Sequence, residues 1–94
     1  MPFTFEWDAE KARQNREKHG ISFDEATTAF ADALSRTISD PDHSVDEDRF
    51  LLLGTSSRGR LLVVAHTERS DTIRLINARL ASKREKNQYE EEPA

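Results

Sequence analysis

His66, Glu68, Arg79 and Tyr89 are the side chains of this 94-residue sequence whose types and spacing suit proton transfer and anion binding. Cutting an RNA strand without a metal takes a base for the 2'-OH proton, cations on the non-bridging oxygens and an acid for the leaving 5'-oxygen. His66 or Glu68 supplies a base, since histidine is the side chain whose charge changes near neutrality. Arg79 supplies a two-pronged fork for a phosphate. Tyr89 offers a ring for stacking on a base, or a hydroxyl for proton transfer. Arg60, Arg69, Lys83, Arg84 and Lys86 surround these residues in the chain and form a candidate RNA-binding set.

The elements that must position them follow from local patterns. Phe3, Phe5 and Trp7 alternate with polar residues as in a half-buried strand. Asp8 as N-cap and Gly20 as left-handed C-cap bound a helix of about eleven residues, with a thin apolar stripe. Ser22 and Glu25 have capping-box spacing and open a second helix that sets Phe23, Ala26, Phe30 and Ala33 on one face. "RFLLLGT" and "RLLVVAHT", joined by "SSRG", predict an antiparallel hairpin, and "TIRLINAR" a third adjacent strand. Ser82 and Glu85 then start a last helix. The resulting order, β-α-α-β-β-β-α, predicts a single α+β domain over 1–94, a twisted antiparallel sheet with two helices packed on one face and a C-terminal helix.

Alternation puts His66 and Glu68 on one side of their strand with Arg60, Leu62 and Val64, and Arg79 beside Asn77, Leu75 and Ile73 on the next. The register decides whether those two faces coincide, and a slip of one residue reverses the answer. Lys83, Arg84 and Lys86 crowd the start of the last helix, where the macrodipole disfavours cations and an incoming phosphate reverses the sign.

Charge is divided unevenly. Residues 1–48 hold five Lys and Arg against twelve Asp and Glu, a net −7, whereas residues 49–89 hold nine against three, a net +6. The acidic tail 90–94 brings the whole to −4. A polyanion responds to the local potential, so the basic half is the expected RNA side. The absence of Cys excludes disulfides and thiolate chemistry, and the scattered His19, His43 and His66 give no metal-ligand cluster, so neither metal nor cofactor is expected. The acidic stretch 40–48 reads as a loop that lacks the glycine and terminal glutamate of a calcium hand. No apolar run is long enough for a membrane span and the N-terminus has no basic leader, so a cytoplasmic location is expected.

The stretches "FEWDAEKARQNREKHGISFDEA", "DPDHSVDEDRFLLLG", "GRLLVVAHTERSDTIRLINAR" and "KREKNQY" together resemble the BrnT toxins of bacterial type II toxin-antitoxin systems, from about Phe3 to Glu90. The resemblance implies a RelE-like α+β fold, a ribonuclease that halts translation, and a BrnA-type antitoxin that forms a 2:2 heterotetramer and supplies the contact with operator DNA. Carried over by position, it points to His66-Thr67-Glu68-Arg69, to Arg79 and to the basic helix ending at Tyr89. Asn77, where relatives commonly have Ser, and Leu80, where many have a basic residue, depart from the pattern. The acidic loop is an expected contact for the antitoxin. The competing reading is a non-catalytic RNA- or protein-binding module acting as co-repressor within the complex, and the 2'-OH requirement separates the two.

Overall fold

Local capping rules set the helices of the computed structural model, which describes residues 4–40 and 48–91. Helix α1 (Ala9–His19) starts where the Asp8 carboxylate accepts the Lys11 N–H at 2.9 Å and stops at Gly20, whose φ of 73° lets its own N–H reach the Arg16 carbonyl. Helix α2 (Phe23–Ala29) is capped by the Ser22 hydroxyl. It ends sooner than its apolar pattern suggests, because Phe30, Ala31 and Asp32 close tighter turns onto Thr27, Thr28 and Ala29. Ala33 is therefore exposed instead of packed.

Among the described residues, five strands form one sheet in the order β1-β5-β4-β3-β2, where β1 is Thr4–Glu6, β2 Arg36–Ser39, β3 Arg49–Thr55, β4 Leu61–Arg69 and β5 Thr72–Leu80. Helix α3 (Lys83–Glu91) follows β5. The α+β class and the strand-helix-helix-strands-helix order agree with expectation, with two additions. Strand β2 is new, and β1 pairs parallel to β5, so the sheet is antiparallel across three of its four pairings. The expected strand is described from Thr4 on. Most of the acidic loop and the end of the tail fall at 41–47 and 92–94, outside the described residues. No helix among the described residues is long and apolar enough to cross a membrane.

Both early helices lie on one face of the sheet. Ile21, Phe23, Ala26 and Ala29 pack there on Leu52, Leu62, Val64, Ile73, Leu75 and Ala78, with Phe5, Trp7, Ala12 and Phe30 around the rim. Each fully buried Leu, Ile or Phe contributes about 1.5–3 kcal/mol relative to exposure. Gly54 permits the close approach of α2 to β3, since a Cβ there would lie 2.7 Å from the Ala29 carbonyl oxygen.

Where β1 ends, the edge of β5 is completed by a side chain. The Asn15 amide donates to the Ala78 carbonyl at 2.8 Å and to the Ile21 carbonyl at 3.0 Å, while its oxygen accepts the Ala78 N–H at 3.0 Å. One buried amide thus does for Ala78 what a neighbouring strand would do, pairing both its N–H and its carbonyl.

Candidate functional site

The register of β5 decides which candidate residues can meet. Ala65 pairs with Asn77 but His66 pairs with Leu75, so Ile76 is an extra residue and forms a bulge. Simple alternation would put Arg79 beside Leu75 and Ile73. The bulge breaks that alternation, and the two apolar residues turn into the core while Arg79, opposite Val63, faces the other way. His66 has the opposite parity to Val63 on β4 and points toward the helices. The register, which the sequence leaves open, thus puts His66 and Arg79 on opposite faces, about 10 Å apart along the strand direction.

His66 is fully buried between the rings of Phe30 and Phe50, whose centroids are 4.9 and 5.9 Å away. Its Nε2 lies 2.9 Å from a Glu68 carboxylate oxygen and its Nδ1 lies 3.2 Å from the Val64 carbonyl. Both ring nitrogens are engaged by the protein. Glu68 and Arg69 are exposed at the same end of the sheet, next to the β4–β5 turn.

Arg60, Lys86 and Tyr89 make a second neighbourhood. They line a shallow groove of about 490 Å³ with Thr55, Leu61 and Leu80. Arg60 is committed to the fold: its guanidinium forks onto the buried Glu25 carboxylate, which also accepts the Ser56 hydroxyl at 2.7 Å. The Arg60 bonds, opposed by burial and aided by Ser56, hold the Glu25 carboxyl below its ordinary range. Glu25 was expected to close a capping box with Ser22, yet its side chain turns to Arg60, the stronger partner.

Tyr89 donates its hydroxyl to Asp32, which also accepts the N–H groups of Leu34 at 2.9 Å and Thr55 at 2.8 Å. Burial alone would raise Asp32, but the Tyr89, Thr55 and Leu34 donors outweigh it and keep the carboxyl low. The Asp32 bond in turn pushes the Tyr89 phenol up, so it stays protonated as a latch for the end of α3.

The third neighbourhood is a groove of about 570 Å³ between α3 and the outer face of the sheet, lined by Arg36, Ile38, Leu51, Leu53, Val63, Glu85 and Gln88. Arg79 meets it through Glu85. Its two terminal nitrogens lie 2.8 and 2.9 Å from the two carboxylate oxygens, a bidentate pair. The same carboxylate accepts the Ser82 N–H at 2.8 Å while the Ser82 hydroxyl accepts the Glu85 N–H at 3.1 Å, completing a reciprocal capping box. Arg79 first, against the opposing effect of burial, and then the Ser82 amide pull Glu85 down to about 2. Glu85 also answers the cation crowding, for it puts a carboxylate into the first turn beside the exposed Lys83 and Arg84.

Of the nine candidate residues, then, Arg79, Lys83 and Arg84 gather where α3 begins, Arg60, Lys86 and Tyr89 around the second groove, and His66, Glu68 and Arg69 at the far end of the sheet. Sequence reasoning missed Arg36, Glu85 and Gln88 as groove residues. Glu85 was visible as a cap, but its bond to Arg79 required the path of the chain between β5 and α3. Arg36 required recognition of β2, whose one signal is a β-branched Thr-Ile pair.

Comparisons with known proteins agree with this architecture. The structure superposes on the crystal structure of the Brucella abortus ribonuclease toxin BrnT, determined at 1.1 Å, with a TM-score of 0.68, 19% sequence identity, and coverage of 87% of this chain and 100% of that one. No curated protein sequence matches it. The model of the family described as "Ribonuclease toxin, BrnT, of type II toxin-antitoxin system" matches residues 7–85, which include strands β2 to β5, both early helices and the Arg79–Glu85 pair. The chain therefore belongs to the BrnT family of ribonuclease toxins.

Proposed function

We propose that the chain is an endoribonuclease toxin that cuts RNA by attack of the 2'-oxygen on the adjacent phosphorus, without a metal, in the groove between α3 and the outer sheet face. The observation that carries this reading is the bidentate Arg79–Glu85 pair at that groove. Its geometry suits a tetrahedral anion as well as a carboxylate, so a phosphate can take Glu85's place in the Arg79 fork. Exposed Lys83 and Arg84 supply further positive charge at the same end of α3.

The exchange has a chemical consequence. A carboxyl held at about 2 is a poor base, but one that has lost its guanidinium partner returns toward the ordinary value of 4.5. Glu85 then accepts the 2'-OH proton, the 2'-oxygen bonds to phosphorus, the bond to the 5'-oxygen breaks, and the leaving oxygen takes a proton from water. The products are a 2',3'-cyclic phosphate and a 5'-hydroxyl. Arg79 favours the doubly charged phosphorane over the singly charged diester, which is where a fixed cation gains most. His66 and Glu68 serve the architecture of β4 in this scheme.

Membership of a type II toxin-antitoxin family supplies a neutralising protein partner. We assign that role to a BrnA-type antitoxin in a 2:2 heterotetramer in the cytoplasm, which covers the basic half and contacts operator DNA on behalf of the complex. Free toxin inhibits translation by destroying RNA.

Purified toxin, freed of antitoxin, is tested on labelled RNA and on DNA of the same sequence in excess chelator. Fragments from RNA alone, with cyclic-phosphate ends, are expected. Cleavage of both polymers, or of RNA only after metal is restored, would overturn the 2'-oxygen mechanism or its metal independence. Intact RNA with folded protein would overturn turnover on free RNA.

A further inference from the structure

The outer face of the sheet is ruled in straight rows by its pairing register. One row runs Arg36, Leu53, Val63, Arg79 across β2, β3, β4 and β5, each residue the direct partner of the next. The next row up is Ile38, Leu51, Ala65, Asn77. Two guanidinium groups therefore end a row whose middle is aliphatic, and three strand spacings separate their Cα atoms by about 14 Å.

We propose that Arg36 is a second phosphate-binding residue, and that a single RNA strand crosses the sheet along this row with one phosphate at Arg79 and the next phosphate but one at Arg36. The proposal rests on the ribonuclease reading for its ligand, but it adds a subsite on a strand that the mechanism does not use. Side chains stand roughly perpendicular to a sheet, so the two forks rise side by side from either end of the row instead of converging on one anion. Arg79 is also drawn toward α3 by Glu85, away from Arg36. Between them, the Leu53 and Val63 side chains carry no polar atom that would compete for a phosphate, and they offer an apolar floor to the two nucleotides that link the two charges. Arg36 has a partner of its own in the free protein, as Arg79 has Glu85, so each phosphate arrives by exchange and not at a bare cation.

The test is the salt dependence of binding by an uncleavable 2'-O-methyl RNA decamer. Each phosphate neutralised on a single strand contributes about 0.7 to the slope of log K against log salt. Arg36→Ala and, to guard against loss of strand β2, Arg36→Gln are expected to bind more weakly and to lower the slope by about 0.7, with unchanged circular dichroism. Arg16→Ala, which removes an exposed cation on α1, is expected to leave the slope alone. An unaltered slope in folded Arg36 variants refutes the subsite. An equal fall in Arg16→Ala refutes it too, since the effect is then diffuse charge. Because the decamer cannot be cut, the slope is read even if unmodified RNA survives, and that outcome would count against the ribonuclease mechanism alone.

Discussion

The two faces of one sheet handle charge in opposite ways. On the face under α1 and α2, polar groups are paired and enclosed: Glu25 with Arg60 and Ser56, Asn15 with β5, His66 with Glu68 and Val64. On the outer face the arginines are half exposed, and Arg79 is held by a carboxylate that, in the proposed mechanism, a phosphate replaces. A buried pair broken by removal of one partner leaves an uncompensated charge, whereas an exchangeable pair at a groove can trade one oxyanion for another. The same residue types therefore stabilise on one side and are available for chemistry on the other.

Arg79→Ala should break this contrast most visibly. Loss of a transition-state cation is expected to reduce RNA cleavage by about a hundredfold or more while the melting temperature moves by only a few degrees. Parallel loss of folding and activity would place Arg79 with the structural pairs.

Glu25→Ala tests the other face. It is expected to cost about 2 kcal/mol, or a melting temperature lower by about 10 °C, with RNA affinity unchanged. Its folded carboxyl titrates below the ordinary 4.5, so the unfolded chain binds more protons between those two values. The stabilisation is complete above about 4.5 and fades as pH falls through the folded value, so the gap between wild type and variant should close in acid. A gap that persists at low pH would show that packing, not ionisation, sets the cost.

The smallest effect on catalysis is expected from His66→Gln. An enclosed histidine on the far face should leave the pH profile of cleavage in place and change the rate by less than about threefold, against the factor of about 10²–10⁴ that a general base supplies. Loss of a limb near neutrality would return the base to His66.

Much of this contrast could be read from the sequence, and what could not has a physical cause. Asp8, Gly20, Ser22 and Ser82 marked the helix ends because capping is local. The hairpin was visible because β3 and β4 are continuous apolar runs around Gly59. The faces were not, because a bulge at Ile76 leaves no compositional trace and shifts every residue beyond it. Strand β2 was hidden for a different reason: it lies at the sheet edge, Ile38 is 60% exposed, and its pairing depends on residues far along the chain. Among the candidate residues, Arg79 was identifiable by type, but its partner Glu85 was masked by its second role in a cap.

The Asn15–Ala78 bonds also bear on when the protein becomes complete. They join residues 63 apart in sequence, and the parallel pairing of Thr4 with Thr72 spans a similar distance. During synthesis, β1 and α1 leave the ribosome before β5 and lack these partners until it has followed. Contacts of such long separation form late. The strand that carries Arg79 is clasped on both edges only after it has itself emerged behind β1, α1 and β4, so a translation product interrupted before β5 holds the first helices without the groove.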